Sequence, residues 1–275
     1  MTTRPLYWSL RRELWENRAI YVGPLVMAAT VLGAFIWHLS EVRSGPPQAL
    51  FVPYGMGSSA VLFVSFVVGF FYSLDALHSE RRDRSILFWK SMPVSDSTTV
   101  ASKALVPMAI VPLFAACVAL ATQLLMAVAS SIAFGLRGDG AAAPWSLPWG
   151  STTLVMLYGV GVHVLWYAPI YGYLTVVSAL ARRANFLWAA LPFFGAFVVE
   201  KLAFGTNVVG RFIADRFVGA MPLAFGPDAS KTPIMELSQL TPARIFASSS
   251  LWLGLAAAIV FFFIAVRLRR HRDPI

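Results

Sequence analysis

Six long apolar stretches limit what this chain can fold into. They run at about 20–39, 54–74, 104–134, 152–180, 186–204 and 249–266 and are nearly free of charge. Each has about 18 residues or more, enough to cross a hydrocarbon core roughly 30 Å thick as an α-helix. A helix also satisfies its own backbone polar groups where no water can do so. Composition agrees: 58% of the residues are hydrophobic and only 13% charged, against about 25% charged in soluble domains. An ordinary water-soluble enzyme is excluded. The expected fold is an all-α polytopic membrane protein with six transmembrane helices, forming one domain over 1–275 with no repeat or linker.

No cleavable signal peptide is expected, because the first apolar run starts only near Ile20 and is too long for the apolar part of a leader. Cys117 is the only cysteine, so no intrachain disulfide can form. The net charge of +9 reads as a topology signal and not as an affinity for nucleic acid. Six spans put both termini on one side. That side collects Arg4, Arg11, Arg12 and Arg18, then Arg81, Arg82, Arg84, Lys90 and Lys103, then Arg182 and Arg183, then Arg267, Arg269, Arg270 and Arg272. The other side has Arg43, Arg137, Lys201, Arg211, Arg216, Lys231 and Arg244. Short Lys- and Arg-rich loops stay cytoplasmic, so both termini are expected inside, with attraction to anionic membrane lipids as a secondary effect.

The segment 1–19 reads as an interfacial helix. Leu6, Leu10 and Leu14 recur every four residues, Trp8 and Trp15 suit the headgroup level, and Arg11, Arg12, Glu13 and Arg18 fill the polar side. A plain cytoplasmic helix is the alternative. Glu41, Arg43 and the Gly45-Pro46-Pro47 break form a short first external loop, and the next external loop carries Trp145 and Trp149, which suit interface anchors. The segment 205–248 is longer than a connector needs. Val208, Val209, Phe212, Ile213 and Phe217 make an apolar stripe beside Arg211, Asp215 and Arg216, and Thr241-Pro242 is a helix start before the last span. The stripe fits short helices over the outer mouth or a hairpin that dips into the membrane.

Catalytic chemistry is hard to build from these residues. None of Lys90, Lys103, Lys201 and Lys231 follows a glycine, so there is no phosphate loop, and His38, His78, His163 and His271 are scattered, with no metal motif. The chain is not expected to be an enzyme or to hold a cofactor or metal. Glu200-Lys201 is the one charged pair inside a span; both residues can reach the interface, or Glu200 can line a pathway. His163 suits a packed histidine better than a proton carrier. Tyr158, Trp166, Tyr167, Tyr171 and Tyr173 around Pro169 can line a cavity or simply pack. Pro107, Pro112, Pro169 and Pro192 mark kinks, and Gly55, Ser58, Ser59, Ser65 and Gly69 allow close helix contact.

The loop 75–103, DALHSERRDRSILFWKSMPVSDSTTVASK, carries the functional signal. The charged run Glu80-Arg81-Arg82-Asp83-Arg84 leads straight into Ile86-Leu87-Phe88-Trp89, and Pro93 stops the pattern. A short helix with an apolar tip needs a groove to bury it, in the membrane surface or in another protein. Ser95 or Asp96 can cap the helix that follows.

At these residues the chain resembles the permease subunits of type-2 ABC exporters. The likeness rests on Glu80, Arg81, Arg82 and Arg84, the turn Ile86, Leu87 and Trp89, the element Met92-Pro93-Val94-Ser95, and Lys103 beyond it; span number and segment order match in outline. It departs at Arg84-Ser85, where many members have Gly-Thr. The resemblance implies a multi-pass protein of the bacterial inner membrane, a homodimer of permeases bound to two copies of an ATPase subunit that holds ATP and Mg. The loop 75–103 would be the cytoplasmic coupling helix. Ile86, Leu87, Phe88 and Trp89 would seat in the ATPase groove, with Glu80, Arg81, Arg82 and Arg84 pairing at its rim and Pro93 ending the helix. Pro192, Gly195 and Glu200 become candidates for the translocation path. A membrane scaffold that binds a cytosolic partner through the same loop, without transport, is the other reading.

Overall fold

The computed structural model describes residues 5–39, 47–92, 94–138, 140–227, 229, 234 and 236–271, with the backbone alone for 47–51. Arg4, Glu41, Arg43, Gly45, Pro46, Pro93, Lys231 and Arg272 lie outside the described residues.

The described residues form α-helices, short 3-10 turns and one π turn, with no strand. Six helices are long and apolar enough to cross a membrane. In chain order, α1 (Pro5–Glu16) precedes the first long helix, α2 (Ala19–Trp37), and α3 (Pro47–Asp75) is the second. Then come two short helices, α4 (His78–Arg82) and α5 (Ser85–Ser91). The third long helix is built from α6 (Asp96–Leu105) and α7 (Val111–Arg137), joined through a π turn at Val106–Ile110. The remaining long helices are α8 (Trp149–Leu180), α9 (Asn185–Phe204) and α13 (Ser249–His271). Between the last two lie α10 (Val208–Val218), α11 (Ala220–Phe225) and α12 (Pro242–Phe246).

The π turn has a plain cause. Pro107 and Pro112 each lack the amide hydrogen of a regular α-helix; Pro107 is the second residue of the looser turn and Pro112 follows two residues after its end. Ser95 caps α6, its Oγ accepting from Thr98 N at 3.1 Å, while Asp96 is the first helical residue. Thr241-Pro242 does start a helix, and the Thr241 hydroxyl donates to Leu223 O at 2.8 Å, tying α12 to α11.

The core lies between α3, α7, α8 and α13. On one side α2 packs against α3 and α7; on the other α13 runs along α8. At Gly172 a Cβ would stand 3.1 Å from the Cβ of Phe261, so glycine permits this approach of α8 to α13. Tyr54 donates to Ser130 Oγ at 2.9 Å and stacks on Trp149 at 6.1 Å. Trp149 is thus packed into the bundle, while Trp145 stays half exposed.

One end of the bundle, the proximal end, gathers α1, α4, α5, α6 and the last turns of α13; α10–α12 lie toward the other, distal end. The distal segment does not lie flat over the helix ends. Trp166 Nε1 donates to Arg216 O at 2.8 Å and Tyr167 Oη to Phe217 O at 2.7 Å. At 1.5 Å per residue, Trp166 sits roughly 25 Å along α8 from its distal start, so the C-terminal end of α10 reaches the middle of that helix. The Arg216 guanidinium lies 4.6 Å over the Trp166 ring and its Nη1 donates to Ser250 O at 3.2 Å.

Glu200 serves this arrangement. It is 8% exposed, and its carboxylate accepts from the Thr206 hydroxyl, from Val208 N and, at 2.7 Å, from Val209 N, holding the first turn of α10. Glu200→Gln keeps the shape but removes the charge and one acceptor. Amide exchange at residues 206–209 is expected to speed up by about tenfold, with the rest of the chain unchanged.

Candidate functional site

Charged side chains from distant parts of the sequence, Arg12 near one end and Arg269 near the other, meet at the proximal end. Glu13, on α1, is fully buried. Its Oε1 lies 2.7 Å from Arg12 Nη2 and 2.9 Å from Lys103 Nζ, and its Oε2 accepts from the Tyr72 hydroxyl at 2.7 Å. Glu80, on α4, faces the same two cations, with Oε1 2.9 Å from Arg12 Nη2 and 3.3 Å from Lys103 Nζ. Its Oε2 is 3.4 Å from Arg269 Nη2 on α13, and Arg269 Nη1 pairs in turn with Asp96 on α6. Glu80, Lys103 and Arg269 are 6%, 3% and 4% exposed. Three carboxylates and three cations thus face one another in a cluster that joins α1, α4, α6 and α13, and the more exposed Glu16 stands at its edge, 3.6 Å from Arg12 Nε.

The pairing matters because each of these charges would be costly alone in such a setting. Burial by itself pushes the Glu13 carboxyl up, but Lys103 first, then Arg12, and the hydrogen bonds from Tyr72 and Lys103 outweigh it and hold Glu13 below the ordinary 4.5. A carboxyl depressed in the folded chain stabilises fully above its unfolded value and loses that contribution as pH falls through its folded value. Thermal unfolding in detergent is thus expected to move to lower temperature on acidification below about pH 4.5. Glu13→Gln should unfold earlier at neutral pH and show a flatter acid limb.

The helix pair α4–α5 is fixed to the bundle on its inner side. Arg81 is 5% exposed and its Nη1 donates to Ala179 O at 2.6 Å, at the proximal end of α8. The Ser178 hydroxyl accepts from Leu77 N and His78 N, each at 2.9 Å. Ile86 is 2% exposed. Trp89 is half-buried, with the Arg12 guanidinium 4.0 Å over its ring. The turn between α4 and α5 passes through Arg84 at φ +57°, a left-handed conformation that glycine adopts more easily.

The expected site therefore divides in two. Glu80, Arg81, Ile86 and Trp89 turn inward and make contacts within the chain. In the chain by itself Glu80, Arg81 and Ile86 are buried, where a rim or groove contact with a partner calls for exposed side chains. Leu87 and Phe88, both 59% exposed, form the outward tip with Met92, among exposed Arg82, Arg84 and Lys90. Pro93 lies outside the described residues. Along α9, Pro192 is exposed, Gly195 has open space beside it, and Glu200, toward the distal end, is engaged by α10.

The sequence pattern puts Glu13 on the polar side of α1 and Lys103 only within the resemblance motif, and the structure buries both. A signal was present: Leu10, Glu13, Leu14 and Asn17 fall on one helical stripe, and a carboxylate inside an apolar stripe requires a buried partner. Among the described residues no cluster of His, Cys, Asp and Glu could hold a metal ion. No protein-family model, no curated protein and no solved structure matches the chain.

Proposed function

We propose that the chain is the membrane-spanning permease subunit of an ATP-driven ABC exporter in the bacterial inner membrane, with both termini cytoplasmic. Two copies form the translocation path, and two copies of a separate ATPase subunit supply the energy. One observation carries this reading: the exposed Leu87–Phe88 tip stands on a helix pair whose inner side is bound to α8 and, through Glu80, to α1, α6 and α13. A push on the tip is passed to four elements at once, which is what coupling to an outside motor requires. The absence of a phosphate loop from the sequence supports the same division of labour.

Other features support the finer parts. Trp8 and Trp15 on α1 are 57% and 70% exposed, with Arg11 stacked between them at 5.4 and 4.8 Å, as suits a helix lying at a lipid headgroup layer. The depth that α10 reaches along α8 favours a re-entrant hairpin over helices lying across the mouth. On α9, Phe186, Leu187, Trp188, Leu191, Phe194 and Leu202 are exposed, a broad apolar face available to a second copy within the membrane. A path without a fixed charge suits amphipathic or apolar cargo.

The test is biochemical. The full chain is expressed together with the soluble phosphate-loop protein encoded beside it, solubilised and purified by a tag on the permease. Co-purification of that protein, with ATP hydrolysis that rises on reconstitution into lipid, is expected. Recovery of the chain with a cytosolic partner that lacks a phosphate loop would replace the exporter by the non-transporting scaffold.

A further inference from the structure

A half-open cavity of about 300 Å³ is lined by a single chain, among α3, α7, α8 and α11, and its walls include Phe66, Gly159, His163, Tyr167 and Phe225. Its size is at the small end of the range for ligand pockets, about 300–1,000 Å³. The walls are almost wholly apolar and aromatic, and three polar side chains break them. Ser65 donates to Val61 O at 2.9 Å within its own helix, and Tyr167 donates to Phe217 O at 2.7 Å. Both hydroxyl hydrogens are used.

His163 is different. Its Nε2 lies 2.9 Å from the Tyr171 hydroxyl, and its Nδ1 has no partner among the described residues. Tyr171 is 2% exposed, and its hydroxyl has no other acceptor among the described residues. A buried phenol hydrogen left unpaired is costly, which assigns the Tyr171 O–H as donor to Nε2. The ring proton then sits on Nδ1, an N–H without a partner among the described residues on a side chain that lines the cavity. Phe66 meets the imidazole edge-on, with ring centroids 5.7 Å apart, which fixes the ring.

We infer that this cavity is a binding site for an uncharged, apolar, single-chain or ring compound carrying one oxygen acceptor, such as an alcohol or ketone, whose oxygen accepts from His163 Nδ1–H. No cation or anion fits, because no unpaired charge lines the walls. The site lies within one chain, so it needs neither a second copy nor an ATPase and stands whether or not the chain transports anything.

The test uses photolabelling of the full chain in lipid nanodiscs. The probes are a medium-chain ketone carrying a diazirine and the alkane of the same length with the same diazirine. The ketone is expected to give saturable labelling on the segment 156–167, competed by the unlabelled ketone. The alkane should label that segment about tenfold less, the worth of one hydrogen bond. His163→Phe should bring the ketone down to the alkane's level, and Gly159→Leu, which builds into the cavity against Phe225, should remove the saturable component for both. Organic extraction of the purified wild-type chain separates the sources: a neutral membrane compound recovered in stoichiometric amount identifies a resident lipid-like ligand, and its absence with saturable labelling identifies a ligand taken up from outside. Labelling that does not saturate, or that is equal for ketone and alkane in the wild-type chain, would overturn the inference. The probe comparison in the wild-type chain decides it even where a variant fails to fold.

Discussion

Lys103→Met is expected to destabilise the chain by about 3–5 kcal/mol, read as a lower unfolding midpoint in detergent at neutral pH. Lys103 Nζ stands between two carboxylates, 2.9 Å from Glu13 and 3.3 Å from Glu80. Without it Glu13 keeps only Arg12 and the Tyr72 hydroxyl, Glu80 keeps Arg12 and the more distant Arg269, and each carboxylate is 6% exposed or less. Repulsion and desolvation then act together, whereas methionine roughly keeps the volume. The double variant Lys103→Met with Glu13→Gln should recover a large part of the loss, because it restores the wild-type net charge. Equal midpoints for wild type and Lys103→Met would mean that water screens the cluster, and the description of it as a buried joint would fail.

Leu87→Asp combined with Phe88→Asp is expected to abolish co-purification of the proposed ATPase partner, a loss on the order of a hundredfold or more, while the unfolding midpoint stays within error. Buried apolar anchors carry most of the energy of an interface, and the binding loss follows if these two are the anchors. Stability should not move, because both side chains are 59% exposed in the free chain. Ile86→Asp provides the contrast: at 2% exposure it should destabilise the chain itself. If the tip variant binds as well as wild type, the partner docks elsewhere and the proposed route of coupling is lost.

What the sequence could and could not convey follows from the range of each interaction. Six apolar runs, the Ser95 cap and the start at Pro242 are local patterns, and hydropathy or a single side chain specifies each. The orientation of α5 is not local. Ile86 and Leu87 are both large and aliphatic, and only the packing of Ile86 against the bundle tells which one a partner could reach. The charge cluster is further from reach, since Glu80 meets Arg12 across 68 residues and Arg269 across 189. Pairings at such separations leave no periodic trace. The segment after α9 is a similar case: its apolar stripe fits either depth, and the hydrogen bonds that Trp166 and Tyr167 make to α10 are contacts that no local pattern specifies.

The π turn at Val106–Ile110 has a mechanical consequence. Pro107 within it and Pro112 just after it have already given up backbone hydrogen bonds, so flexing the rod there breaks fewer than flexing it further along α7. A load entering through α6 will bend the third long helix at this joint before it shears the packed rows beyond, which sets the pivot of any rocking motion about one turn above Lys103.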